Sequence, residues 1–482
     1  MGLKQIGDKI ENCKATHIIR RALGSCYFPL VTAAVCIACY YLGWDIVNIW
    51  YLCLCGTAIM ICCKDVSPVL CIVLFLSLLP SAQHSPRIDG FSSGYLVSPP
   101  ILAQEIVGVT FFGSSLLYRL VAGVFNGNFK ITPMFWTVVA LSVAFMLGGL
   151  FYSHYTILNF VYGLALAGVL IGFYIFSCGN IKIDEKTFIR IAYYFIAVFG
   201  TAALFLAVAY LTYDGVIVDG EVMREKLVFG WGTYNQLGLL LAMAIPAWFY
   251  LAGKHKYGFG FLLGGLANLV VVFLSMSRQA MVMGTVIFVA CCVWLLIWDK
   301  GKKRIINASI MGAVVLVGFI GLAIMHDKVL PFFSSFLQGL ATGNGRTRLW
   351  EEGMQNFLHK PLFGVGFFDP LAEEGNVGFT NGKLSNIIPR MCHNTFFQLI
   401  SSCGLVGLVA YVVHRTQTVI SVINNITNER VFVVMLLGVL LLMSLLDNHI
   451  FYFIMTAVYT LLVSLLAVTE KKDKKDARLA TI

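Results

Sequence analysis

The side chains best suited to chemistry are four arginines and one histidine in the second half of the chain: Arg278, Arg346, Arg348, Arg390 and His393. A guanidinium stays charged at every relevant pH and forms paired hydrogen bonds with phosphate oxygens. The arginines therefore predict a site for a phosphate or diphosphate group. Binding of ordinary lipid headgroups would use the same contacts and is the alternative.

His393 lies in the segment Arg390-Met-Cys-His-Asn394, beside these arginines. Histidine is the side chain that most often accepts a proton from a reacting hydroxyl near neutral pH. We therefore predict that His393 is a general base. A hydrogen-bonded structural histidine is the alternative interpretation.

Two other polar clusters carry weaker signals. Asp219 and Glu221 could bind a divalent ion, but one isolated acidic pair is thin support for a metal site. We therefore predict neither a metal ion nor a cofactor. The segment Asp447-Asn448-His449 is interpreted as a short polar turn between two apolar segments.

Composition determines which kind of structure must hold these residues. Hydrophobic residues make up 59% of the 482 and charged residues 12%, whereas a soluble chain carries about 25% charged residues. The apolar residues form blocks of about 18 to 22, the length of a helix that crosses a bilayer. A barrel is excluded because its strands would alternate apolar and polar residues. The chain is thus predicted to be an all-α polytopic membrane protein of about fourteen transmembrane helices.

The predicted spans follow one another with mostly short connections. The fourth contains Glu105 and Arg119, so it is expected to be tilted, broken or partly interfacial. The spans are residues 27–43, 46–63, 67–83, 104–124, 134–152, 157–177, 190–212, 233–252, 257–276, 280–298, 305–325, 396–414, 431–447 and 450–468.

The distribution of basic residues predicts the orientation in the membrane. The side that holds both termini carries 24 of the 34 Lys and Arg residues, and the other side carries ten. Because basic residues favour the cytoplasmic side, both termini are predicted to be cytoplasmic. The segment before the first span lacks a cleavable signal pattern, so that span is expected to act as an uncleaved anchor.

Neither the cysteines nor the net charge require a further function. Most of the 14 cysteines lie within predicted spans, and they are interpreted as small apolar packing residues. The net charge of +10 is explained by basic loops and a basic tail near anionic lipid, so no nucleic-acid partner is predicted.

The longest segment outside the predicted spans is an outer loop, residues 326–395. Four of its apolar residues recur at helical spacing, which predicts an amphipathic helix on the outer membrane surface. These residues are Trp350, Met354, Phe357 and Leu358.

Four motifs follow one another in this part of the chain. They are Gly345-Arg-Thr-Arg-Leu-Trp350, Lys360-Pro-Leu-Phe-Gly-Val-Gly366, His393-Asn-Thr-Phe-Phe-Gln-Leu-Ile400 and Gly404-Leu-Val-Gly407. In order and spacing they resemble the domain shared by bacterial O-antigen ligases and O-antigen polymerases. The resemblance covers residues 265–415, and the remaining spans match only as helices.

This resemblance implies a membrane glycosyltransferase of GT-C type that takes a glycan from undecaprenyl diphosphate at the outer face of the inner membrane. A ligase passes the glycan to a lipid A core sugar, and a polymerase passes it to another lipid-linked repeat unit.

Carried over by motif, Arg278, Arg346 and His393 occupy the family's Ser-Arg, Gly-Arg and His-Asn positions. The two arginines, supported by Arg348 or Arg390, would neutralise the leaving diphosphate. His393 would accept the proton of the acceptor hydroxyl, with inversion at the anomeric carbon and without a metal ion.

The chain is predicted to have three parts: an N-terminal transmembrane bundle (1–264), the ligase-related region (265–415), and a C-terminal helical pair with a basic cytoplasmic tail (416–482). The expected partners are a polyprenyl-diphosphate-linked donor, a glycan or lipid-glycan acceptor and membrane lipids. A transporter or flippase of polysaccharide or lipid-linked glycan is the alternative function, because about fourteen spans also suits that class. A purely structural membrane subunit is the third.

Overall fold

The computed structural model describes most of the apolar segments and part of the loops between them. The described residues are 13–78, 107–108, 110–119, 131–212, 216–218, 221–223, 227, 234–324, 334, 346–368, 377–380, 383–387, 391–424 and 426–480.

Helices dominate these residues. In chain order they are α1 (Lys14–Leu23), α2 (Phe28–Leu42), α3 (Asp45–Cys62), α4 (Val69–Leu76), α5 (Pro133–Met146), α6 (Ile157–Asn180), α7 (Glu185–Thr212), α8 (Tyr234–Lys254), α9 (Phe259–Leu274), α10 (Arg278–Trp298), α11 (Gly301–Ile324), α12 (Arg346–His359), α13 (Thr395–Ile423), α14 (Asn428–Met443), a 3₁₀ helix (His449–Phe451) and α15 (Phe453–Ala480). Residues 110–119 are also helical.

Two short antiparallel sheets interrupt the helical pattern. β1 (Ile217–Val218) pairs with β2 (Glu221–Val222), and β3 (Val377–Thr380) pairs with β4 (Lys383–Ile387). Both hairpins lie in predicted outer segments, so the prediction of an all-α membrane protein applies to the apolar part of the chain.

Five helices are individually long and apolar enough to cross a bilayer: Ile157–Asn180, Glu185–Thr212, Asn235–Lys254, Arg278–Trp298 and Thr395–Ile423. A sixth span is possible if α1 and α2, which bend by 79° at their junction, are counted together. The protein is therefore a multi-pass membrane protein. The described helices do not establish the predicted number of about fourteen spans, because several predicted spans, such as α5 and α9, are shorter helices.

The weakest predicted span, residues 104–124, lies only partly within the described residues, and Glu105 lies outside them. Its Arg119 Nη2 donates to the carbonyl of Cys63, which caps α3, at 2.7 Å. A basic side chain in an apolar segment is tolerated when backbone carbonyls satisfy it. The hydrogen bond gives this arginine a structural partner at a helix end.

α8 is the centre of the membrane bundle. It packs against α7, α9, α10 and α14, and most of its side chains are buried. Close approach is possible because small residues lie at the contacts: a Cβ on Gly238 would lie 2.5 Å from the Cβ of Ala280 in α10. This is the usual way in which membrane helices pack without a hydrophobic driving force between them.

Ion pairs hold one end of this bundle. Lys254 at the end of α8 contacts Glu429 at the start of α14 at 2.6 Å and Glu185 at the start of α7 at 3.2 Å. α14 has 16 residues and therefore extends about 24 Å from this ion pair to its other end. The residues discussed below as a candidate site lie beyond that other end.

α13 is broken at Gly404, and the loop that follows α12 enters the break. Gly404 has φ 62° and ψ −153°, which is not helical. Beyond the break, the amide of Leu405 donates to the loop carbonyl of Pro361, and the amide of Val406 donates to the carbonyl of Leu362. In return, the carbonyls of Ser401 and Ser402 accept from the amides of Val365 and Gly366. Since a broken helix in lipid must find new backbone partners, this exchange makes the break possible.

The buried Asn159 of α6 holds the end of the same loop. Its Oδ1 accepts from the amides of Phe367 at 2.6 Å and Phe368 at 2.7 Å, and its Nδ2 donates to the Phe368 carbonyl at 3.1 Å. The motif residues 360–366 and 404–407 are thus explained by one packed junction between the outer loop and α13.

Alanine at Gly404 is expected to destabilise the protein. The backbone conformation there is open almost only to glycine and costs other residues about 1–3 kcal/mol. A Cβ would also lie 2.5 Å from the carbonyl carbon of Leu362. The thermal unfolding midpoint of purified Gly404→Ala should therefore be lower than that of the wild type. Gly200→Ala is the control, because Gly200 lies in α7 with nothing within 4 Å of the added Cβ; equal midpoints for the two variants would contradict the prediction.

Candidate active site

His393 and Asp447 form the centre of the candidate site. The Nδ1 atom of His393 lies 3.2 Å from Oδ1 of Asp447. An ionised carboxylate can only accept, so Nδ1 carries the hydrogen and Nε2 is left with a free lone pair. The His393 side chain is 38% exposed and that of Asp447 only 4%. The pair therefore presents one imidazole nitrogen that can accept a proton, oriented by a buried carboxylate.

The turn that carries His393 is tightly constrained. His393 has φ 48°, a conformation that few residues other than glycine adopt. The next residue, Asn394, caps α13: its Oδ1 accepts from the amides of Phe396 and Phe397 at 2.8 and 3.2 Å. Its Nδ2 donates to the carbonyl of Leu445 at 2.7 Å. The His393 turn is thus tied to the turn that follows α14.

Charges around Asp447 keep its carboxylate ionised. Burial alone would raise the pKa of Asp447, but His449, His393 and the amide of Asn448 together lower that pKa below its usual range. The pKa of the buried His449 is lowered as well: burial lowers it most, Asp447 opposes this effect, and Arg346 and His393 lower it further. Both the carboxyl group of Asp447 and the buried imidazole of His449 therefore have lowered pKa values.

Arg346 lies beside the same turn. It is the first residue of α12, and its Nη1 donates to the carbonyl of Leu446, which directly precedes Asp447. α12 is held against α13 by the stacked rings of Trp350 and Phe397, whose centroids are 5.5 Å apart. The structure therefore brings Arg346 and His393 to the same end of the bundle.

Arg278 begins α10 at the same end of the bundle. A sharp break precedes it: α9 ends at Leu274, Met276 has φ 56°, and Ser277 caps α10. The neighbouring Gln279 donates through Nε2 to the carbonyl of Met443, the last residue of α14. Arg278 is half-buried, and this contact of its neighbour Gln279 places the start of α10 beside the end of α14.

Of the two arginines predicted to support the site, only Arg348 lies among the described residues. The side chain of Arg348 is 75% exposed, and its Nε contacts Oε1 of Glu352, one turn later in α12, at 3.2 Å. Arg348 thus lies on the exposed surface of α12 in an ion pair. Arg390 lies outside the described residues.

The predicted amphipathic helix is present as α12, from Arg346 to His359. Part of its apolar face packs against the protein rather than lying free: Trp350 stacks on Phe397, and a Cβ on Gly353 would lie 3.4 Å from Sγ of Cys392. Met354 and Leu358 remain exposed. The helix therefore has one surface on α13 and a second apolar surface that faces outward.

Asp447 is a candidate site residue that the sequence analysis did not single out, because it was interpreted as part of a turn. It lies in that turn, but its carboxylate also orients His393, 54 residues earlier. Of the weaker candidates, Asp219 lies outside the described residues, and Glu221 lies in β2. In the described parts of the chain, no three His, Cys, Asp or Glu side chains are placed to hold a metal ion.

Comparison with known proteins identifies this region. Residues 259–412, from the start of α9 into α13, match the family model described as O-antigen ligase. The chain also resembles the exopolysaccharide production protein ExoQ of Rhizobium meliloti (strain 1021), with 28% identity over 194 residues. This similarity covers 37% of the chain and 41% of the relative, so the chain matches about two fifths of the relative's length.

These matches confirm the resemblance predicted from the motifs: the chain carries an O-antigen ligase domain. The matched residues include Arg278, Arg346, Arg348 and His393, whereas Asp447 lies beyond their end.

Proposed function

Because the chain carries an O-antigen ligase domain, we propose that it is a membrane glycosyltransferase of the ligase or polymerase type. It transfers a glycan from a polyprenyl diphosphate, such as undecaprenyl diphosphate, to a hydroxyl of a glycan or lipid-glycan acceptor. The observation that carries this proposal is the contact of His393 with the buried carboxylate of Asp447, beside Arg346. A general base and an anion-binding group are the two components that this transfer requires.

His393 acts on the acceptor. Its Nε2 accepts the hydroxyl proton while the hydroxyl oxygen bonds to the anomeric carbon of the donor, on the face opposite the diphosphate. Asp447 holds the Nδ1–H tautomer and stabilises the imidazolium that forms, as a buried carboxylate does for histidine in other enzymes. A single displacement of this kind inverts the anomeric carbon.

Arginines act on the leaving group. The bond from the anomeric carbon to the diphosphate oxygen breaks, and negative charge develops on that oxygen. Arg346 and Arg278 donate hydrogen bonds to the diphosphate as this charge grows, and Arg348 or Arg390 contributes further positive charge. Since guanidinium groups neutralise the diphosphate, the transfer proceeds without a metal ion.

We propose that the site lies at the outer face of the inner membrane and that both termini are cytoplasmic. Two observations support this orientation. The ion pair of Lys254 and Glu429 lies at the opposite end of α14 from Asp447. The basic residues are concentrated on the side of the termini.

Labelling tests this orientation. Single cysteines at the exposed positions Glu351 and His359 of α12, with Cys392 replaced by alanine, should react with an impermeant maleimide in intact spheroplasts. The native Cys13 and Cys26 are exposed on the side of the termini, so they should react only after lysis, and mass mapping distinguishes the sites. Labelling of the α12 positions only after lysis would overturn the orientation.

Transfer by the purified protein tests the function itself. The protein is reconstituted in liposomes with lipid-linked oligosaccharides extracted from its own cells, and the size of the glycan products is measured. A ligase or polymerase yields a new glycosidic bond and free polyprenyl diphosphate. A flippase, the alternative, moves the lipid-linked oligosaccharide across the bilayer and leaves its structure unchanged, and that result would reject the proposed function.

A further inference from the structure

We propose that Gln398 is a positioning residue that sets the distance between His393 and Asp447, an inference that rests on the proposed function. Gln398 lies in the first turn of α13 and its side chain is buried. Its Oε1 accepts two hydrogen bonds, from the amide of Cys392 and from Nδ2 of Asn448, each at 2.8 Å. Cys392 directly precedes His393, and Asn448 directly follows Asp447. One oxygen atom therefore joins the two turns that carry the pair.

The orientation of the Gln398 amide follows from its partners. A backbone N–H can only donate, so the atom that faces the Cys392 amide must be the oxygen. The nitrogen, Nε2, then donates to Oγ of Ser402 at 2.7 Å, one turn further along α13. Both ends of the amide are satisfied, which fixes the oxygen between the two turns.

Asn394 also joins the two turns, because its Nδ2 donates to the carbonyl of Leu445. Gln398 differs in that its oxygen contacts residues directly adjacent to both His393 and Asp447. His393 has φ 48°, a conformation that needs support from its surroundings. Asp447 lies in the irregular segment between α14 and the 3₁₀ helix. Because a displacement of about 1 Å between reacting groups can lower a rate about 10²-fold, the link through Gln398 matters for catalysis as well as for folding.

Gln398 is 1% exposed, so it is not placed to touch a substrate. Its effect on transfer is therefore indirect and passes through the His393–Asp447 contact. A buried glutamine with only a structural role would also be hydrogen-bonded. The two roles differ in what happens when His393 is already absent.

Gln398→Met is the first test, because methionine has a similar length and no hydrogen-bonding amide. In the reconstituted transfer assay we expect kcat to fall about 10²-fold, with KM for the lipid-linked oligosaccharide nearly unchanged. Ser402→Ala is the matched control: it removes the third partner of Gln398 but neither link to the turns, and it should retain nearly the wild-type kcat. A wild-type kcat for folded Gln398→Met would overturn the inference.

A double-mutant cycle separates positioning from general stability. If Gln398 acts through His393, adding Gln398→Met to His393→Ala should lower the residual transfer rate no further. A full additional 10²-fold loss in the double variant would assign Gln398 a separate structural role. Should Gln398→Met fail to fold, Asn448→Ala removes the hydrogen bond on the Asp447 side of the link, together with the contact of Asn448 Nδ2 with Sδ of Met391 at 3.3 Å. A loss of kcat is expected for it, and a wild-type kcat would overturn the inference.

The transfer activity of the wild-type protein separates a test of the Gln398 role from a test of the proposed function. No transfer by wild-type protein would reject both. Transfer by the wild type together with unimpaired Gln398→Met and Asn448→Ala would reject the positioning role and leave the proposed function intact.

Discussion

His393→Ala is expected to lower the rate of glycan transfer about 10²–10⁴-fold, the usual loss when a general base is removed. The imidazole is oriented by Asp447 with Nε2 available, and alanine leaves no group that can take the acceptor proton. Because the His393 side chain is 38% exposed, its removal should change neither the unfolding midpoint nor the membrane level by much. The rate is measured with purified, reconstituted protein at saturating donor.

His359→Ala is the matched control for this substitution. His359 is the exposed last residue of α12, on the same predicted face of the membrane, and it has no role in the proposed mechanism. Its alanine variant should transfer at the wild-type rate. If His393→Ala also transferred at the wild-type rate, His393 would be a structural residue, and another group would have to accept the proton of the acceptor hydroxyl.

The helical architecture was predictable because the membrane imposes a simple pattern on the chain. Long apolar blocks between polar breaks predicted the segments that form α6, α7, α8, α10 and α13. Their exact ends were less predictable, because tertiary contacts decide them. α9 ends at Leu274 because a sharp turn through Met276 and Ser277 leads into α10.

The break in α13 could not be read from hydropathy. Residues 396–414 were predicted as one apolar span, and a helix without interruption is what such a span predicts. Gly404 alone is an ambiguous signal, because glycine is common at close contacts between membrane helices. The break exists because the loop 360–366 supplies backbone partners on both sides of it, and such a long-range contact has no local pattern.

The candidate site was predicted in part. The arginines and His393 could be singled out as candidates because charged side chains are uncommon beside apolar segments and because the order of their motifs resembles a known family. Asp447 was not, since an acidic residue between two spans has the same pattern whether it forms a turn or orients a histidine. Only folding, which brings the turn after α14 to the start of α13 through Asn394 and Leu445, distinguishes these roles. Gln398 could not be predicted either, because its contacts with Cys392 and Asn448 form only in the folded protein.

Replacing the arginines of the site by lysine is also expected to lower the transfer rate strongly. If guanidinium groups stabilise the leaving diphosphate, Arg346→Lys and Arg278→Lys should each lower kcat about 10²–10³-fold, the loss typical for one group that stabilises developing charge. Charge is kept in both variants, but an ammonium cannot reproduce the planar pair of donors. Since the contacts strengthen as the bond breaks, kcat should fall more than donor affinity. Arg348→Lys should lose less, because the guanidinium of Arg348 is exposed and paired with Glu352.

The control for these substitutions is Arg21→Lys, since Arg21 is exposed in α1 on the side of the termini and should tolerate the change. The same assay in excess EDTA tests whether arginines replace a metal ion, and wild-type protein is expected to keep its rate. Full activity of Arg346→Lys and Arg278→Lys, combined with EDTA inhibition that Mg²⁺ or Mn²⁺ reverses, would reject the arginine mechanism. Asp219 and Glu221 would then be the first residues to test as metal ligands, because two carboxylates so close in the sequence can bind one divalent ion.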